Sequence, residues 1–403
     1  MPRKSRRWTS SRNRLYLNSM FRQVLFGAVL ASMAIAAGAQ PGVTADRILF
    51  GQTACFTGSN EDLGKHYRAG ILAAFAERNR NGGVAGRTLE LLSLDDAYEP
   101  ELAAANAESF VSERQVFAVI GAVGTPTSRR IAPMLRNAGV PFVGPLTGAD
   151  FLRDAERYPN VVNLRASYFE EIERLIDYMI EQGAARFGII YQDDAFGRTA
   201  LRSYKALMDE RAIPILARSA YTRNTHAVHT SLFSVEKADL DAILLVGTYA
   251  ANSTIINLAN SLGREHLLAN LSYTVSHELK ELIREPTPKI LVTEVVPDAG
   301  DSQSRIVASF QRAISEEAQR TEMDDAVSED ALEGYILGRF VIAVLERMEG
   351  ELTRENFLRD ALSPEPVELD DWKLEFQPGS NVGSHFIRLT HLGVETGIEE
   401  SGL

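Results

Sequence analysis

Apolar and polar positions along this chain follow two rhythms in turn. Short apolar runs bounded by glycine, proline or acidic residues read as buried strands, and longer stretches with apolar residues three and four apart read as helices. Arg47–Thr53 and Thr88–Leu94 are runs of the first kind. Between them Glu61–Arg80 carries Leu63, Tyr67, Ile71, Ala74 and Phe75 at helical spacing and stops at Gly82-Gly83. Pro100 opens a helix through about Glu113, since proline in a first turn forfeits no helical bond. Strand Val116–Ile120, helix Pro126–Ala138 and strand Pro141–Gly144 complete this first series.

A second series starts near Asn160. Its predicted strands are Val161–Arg165, Phe187–Tyr191, Ile213–Ala217, Leu240–Val246 and Lys289–Val296. Its predicted helices are Glu170–Gln182, Thr199 to about Glu210, and Asn252–Leu262, followed by Ser304–Arg320 and Ser328–Arg347. Leu374–Phe376 and His385–Leu389 read as a late hairpin. Strands alternating with helices call for parallel sheets covered on both faces. The expected fold class is α/β: two doubly wound parallel-sheet lobes joined by short crossovers, with a ligand cleft between them. Open parallel sheets bind ligands at the carboxyl ends of their strands, which is where that cleft would lie.

The first forty residues depart from the pattern. Seven basic residues and no acid precede position 40, and the apolar run Val24–Ala37 ends in Ala37-Gly38-Ala39. That run is shorter than a bilayer-spanning helix and follows positive charge, so residues 1–39 are expected to be a signal peptide cleaved after Ala39, with Met20 as an alternative initiator. The expected location is periplasmic.

Charge then narrows the function. Lys+Arg 42 against Asp+Glu 54 gives a net charge of −12, and removing the seven early bases leaves 35 against 54, or −19. A body so acidic lacks the basic footprint that phosphate backbones require, which excludes nucleic acid as a partner. Cys55 is the only cysteine, so no internal disulfide forms, and it reads as a small packed side chain.

Catalytic patterns are missing. Gly121–Ser128 follows a strand and opens a helix, but lacks both G-x-x-x-x-G-K-[ST] and G-x-G-x-x-G. Neither G-x-S-x-G nor H-E-x-x-H occurs. His226 and His229 lack a third ligand, so no metal is expected, and Asp95-Asp96 and Asp193-Asp194 read as strand-end turns or helix caps. The expectation is a non-enzyme without a cofactor.

Several segments together carry a resemblance. Leu49-Phe-Gly-Gln-Thr53 through Gly58, Asn79-x-Asn81-Gly82-Gly83-Val-Ala-Gly86-Arg87, Leu94-Asp95-Asp96, Val119–Thr125 and Val140–Pro145 are joined by Tyr191–Gly197 and Leu244–Tyr249. Each is loose alone. In their order and spacing they resemble, over about residues 46–390, the periplasmic solute-binding proteins of the leucine/isoleucine/valine-binding type, with the type I periplasmic-binding fold. The resemblance implies lobe I from 46–165 plus about 297–365, lobe II from about 166–296 plus about 366–392, and a flexible tail at 393–403. It also implies a monomer that binds a small-molecule ligand and delivers it to the membrane permease of an ABC importer.

The same resemblance assigns a site. A hydroxyl and backbone amides at the start of the helix after the third strand, here Thr125, would grip a ligand carboxylate, as dipole and free N–H groups favour an anion there. After Pro145, Leu146 would offer backbone, and Gly148 stands where amino-acid binders carry a hydroxyl, with Thr147 able to replace it. Tyr168, Phe196 and Thr248 or Tyr249 would cover the ligand. The family's acid for a ligand ammonium has no counterpart in Leu271–Ser276, so either Asp194 supplies that charge or the ligand is not an α-amino acid. Two further readings stay open: a ligand sensor of the same fold acting on a signalling or regulatory partner, and an exported enzyme.

Overall fold

The structure, a computed structural model, describes residues 40–225, 227–285, 289–321 and 327–393. The expected signal peptide, His226 and the tail beyond Gly393 lie outside the described residues. The first sheet takes β1 (Arg47–Ala54), β2 (Thr88–Asp95), β3 (Ala118–Ile120), β4 (Phe142–Val143) and β5 (Val161–Val162) in the order β2-β1-β3-β4-β5, with every pair parallel. Between these strands run α1 (Glu61–Arg80), α2 (Pro100–Ser112) and α3 (Thr125–Asn137). Glu61 and Asp62 in the first turn of α1 and Arg78 and Arg80 in its last turn complement the helix dipole.

The chain then enters the second lobe with α4 (Tyr168–Glu181), which Ser167 and Glu170 start with a reciprocal capping box. There follow β6 (Phe187–Gln192), α5 (Ala195–Glu210), β7 (Ile215–Tyr221), α6 (His229–Val235), β8 (Ala242–Val246), α7 (Tyr249–Ser261), β9 (Leu267–Asn270), α8 (Ser276–Leu282) and β10 (Ile290–Glu294). Next come α9 (Arg305–Ala318), α10 (Glu329–Arg347) and α11 (Arg354–Ala361), the small hairpin β11 (Val367–Leu369) and β12 (Trp372–Leu374), and finally β13 (Arg388–Leu392). The second sheet has the order β13-β10-β9-β8-β6-β7, parallel throughout except for β13, which runs antiparallel to β10. Two doubly wound lobes are thus present, as the alternation of elements predicts.

The helices that finish the first lobe come late in the chain. α9 and α10 both pack on α1. A Cβ on Gly70 of α1 would fall 1.9 Å from the Ala331 carbonyl oxygen, and one on Gly334 of α10 would fall 2.1 Å from that of Tyr67. Only hydrogen at these positions lets the two backbones touch. Beneath them Phe50 meets Phe75 and Phe117 at ring-centroid distances of 5.4 and 6.0 Å, and Phe117 meets Phe357 of α11 at 5.5 Å. Such pairs add to the area that each ring removes from water.

The late hairpin is a correction. Leu374–Phe376 and His385–Leu389 do not pair with each other. Trp372–Leu374 pairs with Val367–Leu369, and Arg388–Leu392 joins β10. The segment between them is a crossover: Asn163 N–H donates to Asn381 O at 2.8 Å and Gly383 N–H donates to Asn163 O at 2.9 Å. The chain therefore returns to the second lobe alongside the strand end by which it first left. Five elements escape the sequence pattern: β9, β11, α6, α8 and α11 are all eight residues or shorter, too brief to show a period.

Candidate functional site

The switch point of the first sheet lies between β1 and β3, and the loops after β1, β2, β3 and β4 gather at its carboxyl edge. Gly124, at φ +105°, turns the chain from β3 into α3. A Cβ there would sit 2.4 Å from Cε2 of Tyr98, so the turn brings bare backbone against that ring. No side chain caps α3, and its first turn holds no acid. Thr125 Oγ1 instead lies 2.6 Å from Thr147 Oγ1, with Tyr168 OH 3.4 and 3.3 Å from the two. Three hydroxyls from α3, the loop after β4 and the start of α4 therefore converge, all on residues closed to solvent.

Gly148 has a packing reason to lack a side chain. A Cβ there would lie 2.5 Å from Tyr168 Cδ1, and the Gly148 carbonyl accepts from Tyr168 N–H at 2.8 Å. The hydroxyl beside Thr125 comes from Thr147, one residue earlier. Leu146 is used within the fold: its N–H donates to Ala122 O at 2.8 Å and its carbonyl accepts from Gly124 N–H at 3.2 Å.

An aromatic row continues from the hydroxyls into the second lobe. Tyr168 meets Phe196 at 5.1 Å, Phe196 meets Tyr273 at 4.8 Å, and Tyr273 meets Tyr98 at 6.1 Å. The Tyr98 and Tyr273 phenols face each other, and Gln192 reaches Tyr98. Burial pushes both hydroxyls well above their ordinary pKa. Sequence reasoning missed Tyr98 and Tyr273. Tyr98 follows Asp95-Asp96 at the carboxyl end of β2, a place that the switch-point rule could have nominated.

The other expected residues lie elsewhere. Asp194 caps α5: its Oδ1 accepts from Phe196 and Gly197 N–H at 2.9 and 3.2 Å, and its Oδ2 accepts from Gln192 Nε2 at 2.6 Å. Arg223 stands 3.8 Å from that Oδ2. Three donors and a guanidinium thus occupy the carboxylate that was one of the two alternatives for a ligand ammonium. Thr248 is the N-cap residue of α7 without a side-chain cap bond. Tyr249 OH donates across the cleft to Asp62 Oδ2 at 3.1 Å, outside the aromatic row. Arg223 also reaches Glu99 Oε2 at 2.5 Å, so the lobes touch at the mouth of the cleft.

A family model for periplasmic binding proteins matches residues 48–369. The chain belongs to the periplasmic binding protein family. It is 33% identical over 117 residues to the leucine-, isoleucine-, valine-, threonine- and alanine-binding protein of Pseudomonas aeruginosa, covering 29% of this chain and 31% of that one. A Leu/Ile/Val-binding protein of Rhizobium johnstonii is 24% identical over 251 residues, 59% of this chain and 66% of its own length. The chain thus spans between about a third and two thirds of these relatives. The crystal structure of a possible leucine/isoleucine/valine-binding protein from Rhodopirellula baltica overlays with a TM-score of 0.80 at 27% identity, covering 88% of this chain and 96% of that one. The family resemblance and the two-lobed fold read from the sequence are both borne out.

This binding protein carries a second polar cluster at the crossover side of its cleft. Arg165, 2% exposed, leaves the first sheet after β5. Its Nη1 is 3.4 Å from Glu333 Oε2 on α10 and its Nη2 is 3.7 Å from Glu171 Oε1 on α4. Nη2 also donates to Ser272 Oγ. Glu171 Oε2 accepts from Ser272 N–H at 2.9 Å and Thr293 Oγ1 at 2.6 Å. Burial, opposed by Arg165, raises the Glu333 carboxyl to about 7. The sequence pattern had counted Arg165 only as the end of a strand.

Cys55 is buried, and its Sγ donates to Asn60 O at 3.1 Å, the packed thiol that was expected. The adjacent acids are turn and cap residues too: Asp95 accepts from Phe56 and Ala97 N–H, and Asp96 from Tyr98 N–H and Thr53 Oγ1.

Proposed function

We propose that the chain is the extracytoplasmic substrate-binding receptor of an ABC importer, and that its solute is a small carboxylate with a flat or apolar body. The lobes close on it by hinge motion and present it to a membrane permease. The observation that carries this reading is the convergence of the Thr125 and Thr147 hydroxyls, 2.6 Å apart, at the N-terminus of α3. Hydroxyl donors at a positive helix end suit a carboxylate without a formal cation. The Tyr168, Phe196, Tyr273 and Tyr98 rings supply an apolar body with stacking faces. Asp194, the acid named for a ligand ammonium, is taken up by its cap, and an ammonium buried without a partner would cost several kcal/mol.

In this reading the hinge is the set of crossovers near 163–167, 295–304 and 375–387. The lobe division follows the one expected from the sequence, except that β11 and β12 travel with the first lobe because β11 packs on α10. The receptor acts as a monomer in the periplasm after removal of residues 1–39.

A thermal-shift screen of the chain from Gln40, with monocarboxylates, α-amino acids and amides, tests the reading. At 100 times its dissociation constant, a ligand that binds only the folded form adds about 2.7 kcal/mol. In a two-lobed chain that melts cooperatively this corresponds to a shift of about a degree or more. Monocarboxylates are expected to raise the midpoint and to lower the radius of gyration in small-angle scattering. Shifts confined to uncharged amides would overturn the anion grip, and an unchanged radius at saturation would overturn hinge closure.

A further inference from the structure

Away from the hydroxyl and aromatic site, three side chains from distant parts of the sequence meet in the seam between the lobes. His66 stands on α1 and Asp330 on α10, the two helices packed together in the first lobe, while Glu278 stands on α8 of the second. Their exposures are 6%, 4% and 7%. His66 Nδ1 lies 2.8 Å from Glu278 Oε1 and 3.5 Å from Asp330 Oδ2. One ligating atom from each residue falls within 4.8 Å of the others. Asp330 Oδ1 is taken by Ser328 Oγ at 2.5 Å and Asp330 Oδ2 faces the His66 ring as an ion pair, while Glu278 Oε2 is buried and accepts no hydrogen bond. Buried carboxylate oxygens without donors are costly unless a cation answers them.

We propose that His66, Glu278 and Asp330 form a divalent-cation site, suited to zinc or a similar transition ion, that ties the two lobes together. The donor chemistry selects the ion. One imidazole nitrogen and two carboxylates, with a fourth position left for water, suit zinc, whereas calcium and magnesium favour oxygen ligands alone. Tetrahedral ligands at zinc distances of about 2.0–2.1 Å stand ~3.3 Å from each other. The two separations from His66, 2.8 and 3.5 Å, lie on either side of that value, and the third pair of ligand atoms falls within 4.8 Å. Because Glu278 is on one lobe and the other two ligands are on the opposite one, the ion would bind only the closed pair. Cation and solute would then each raise the affinity of the other by the same factor. An imidazolium of His66 between the two carboxylates is the competing occupant of this space, and it predicts no cation uptake.

Calorimetric titration of the metal-stripped chain with zinc chloride, and separately with calcium and magnesium chloride, tests the site. One equivalent of zinc is expected, with calcium and magnesium at least about a hundredfold weaker. Glu278→Gln and Asp330→Asn are each expected to weaken zinc at least about tenfold, a loss that even outer-shell partners produce. Glu265→Gln, which alters only the exposed pair with Lys289, should leave zinc affinity unchanged. Cobalt(II) added to the unmutated chain gives a readout that does not depend on the folding of any variant: the visible absorption of a four- or five-coordinate nitrogen/oxygen site is expected. No zinc uptake, zinc affinity in both variants unchanged from the unmutated chain, or a cobalt spectrum of the hexa-aquo ion alone would overturn the proposal.

Discussion

The seam between the two lobes has two unlike halves. Around Thr125, Thr147 and Tyr168 it is made of neutral hydroxyls and aromatic rings, while around Arg165, Glu171 and Glu333 it is made of buried charge. Neutral groups part and meet again at modest cost, because each hydroxyl exchanges one hydrogen bond for another with water or ligand. A buried ion pair has no such freedom, since separating it strands a charge in a low-dielectric interior. The Arg165 cluster lies where the chain crosses between the lobes, and the neutral part lies further in from the Arg223–Glu99 pair at the mouth of the cleft. The contrast assigns persistence to the first and exchange to the second.

The most severe way to break this comparison is Arg165→Met. Glu171 and Glu333 would then face each other without a countercharge, and a loss of about 3–5 kcal/mol in unfolding free energy is expected in urea titration. A loss below 1 kcal/mol would show that the cluster is no anchor.

Next in size is a dependence on pH. Glu333 titrates near 4.5 in the unfolded chain and at about 7 in the folded one. Between those values the folded form holds the extra proton, so the contribution of Glu333 to stability is complete below about 4.5 and disappears as pH rises through 7. Asp96, also raised to about 7 by burial, acts with the same sign, so the comparison must be between native protein and Glu333→Gln. The variant should lose a slope of up to about 1.4 kcal/mol per pH unit across pH 5–7. Parallel pH profiles would mean that Glu333 is not the titrating group.

The neutral half should respond in binding more than in folding. Thr125→Ala removes one charge-assisted hydrogen bond to a carboxylate, about 1.5–3 kcal/mol, and affinity measured by calorimetry should fall roughly tenfold to a hundredfold. Its unfolding free energy should fall less, by about 1 kcal/mol, as the buried Thr147 hydroxyl loses its 2.6 Å partner. The smallest effect is expected from Tyr98→Phe. That phenol faces the neutral Tyr273 and Gln192 side chains, so its removal should change stability by no more than about 1 kcal/mol. A larger destabilisation would reveal that the row depends on the hydroxyl as well as on the ring.

Much of the fold was legible because most of its elements are long enough to show a period. Glu61–Arg80 coincides with the observed helix, and the burial of β8 on both faces matches its unbroken apolar run. β7 alternates exposed and half-buried residues, as an edge strand does, and it reaches Tyr221, four residues past the expected end at Ala217. The ending of the chain was misread because a hairpin and a strand joined to a remote partner share the same local signature. β13 pairs with β10, a contact that no local pattern encodes. Thr125, Thr147, Tyr168 and Phe196 were named through the family resemblance, and their side chains lie together. Asp194 was not recognisable as a committed cap, because adjacent acids reveal neither their φ nor their donors. Arg165, Tyr98 and Tyr273, like His66 with Glu278 and Asp330, acquire their roles only through contacts across the seam.

The late return of α9 and α10 to the first lobe has a consequence for how the molecule is made. Residues through β5 complete a five-stranded sheet early in synthesis, yet α1 must wait for Glu329–Arg347 before its glycine-lined face finds a partner. Contacts between segments so far apart close slowly, because the intervening loop must be ordered before they form. A nascent chain of this design cannot bury its first lobe while its second half is still being made. That face of the first lobe stays uncovered until nearly the full length exists.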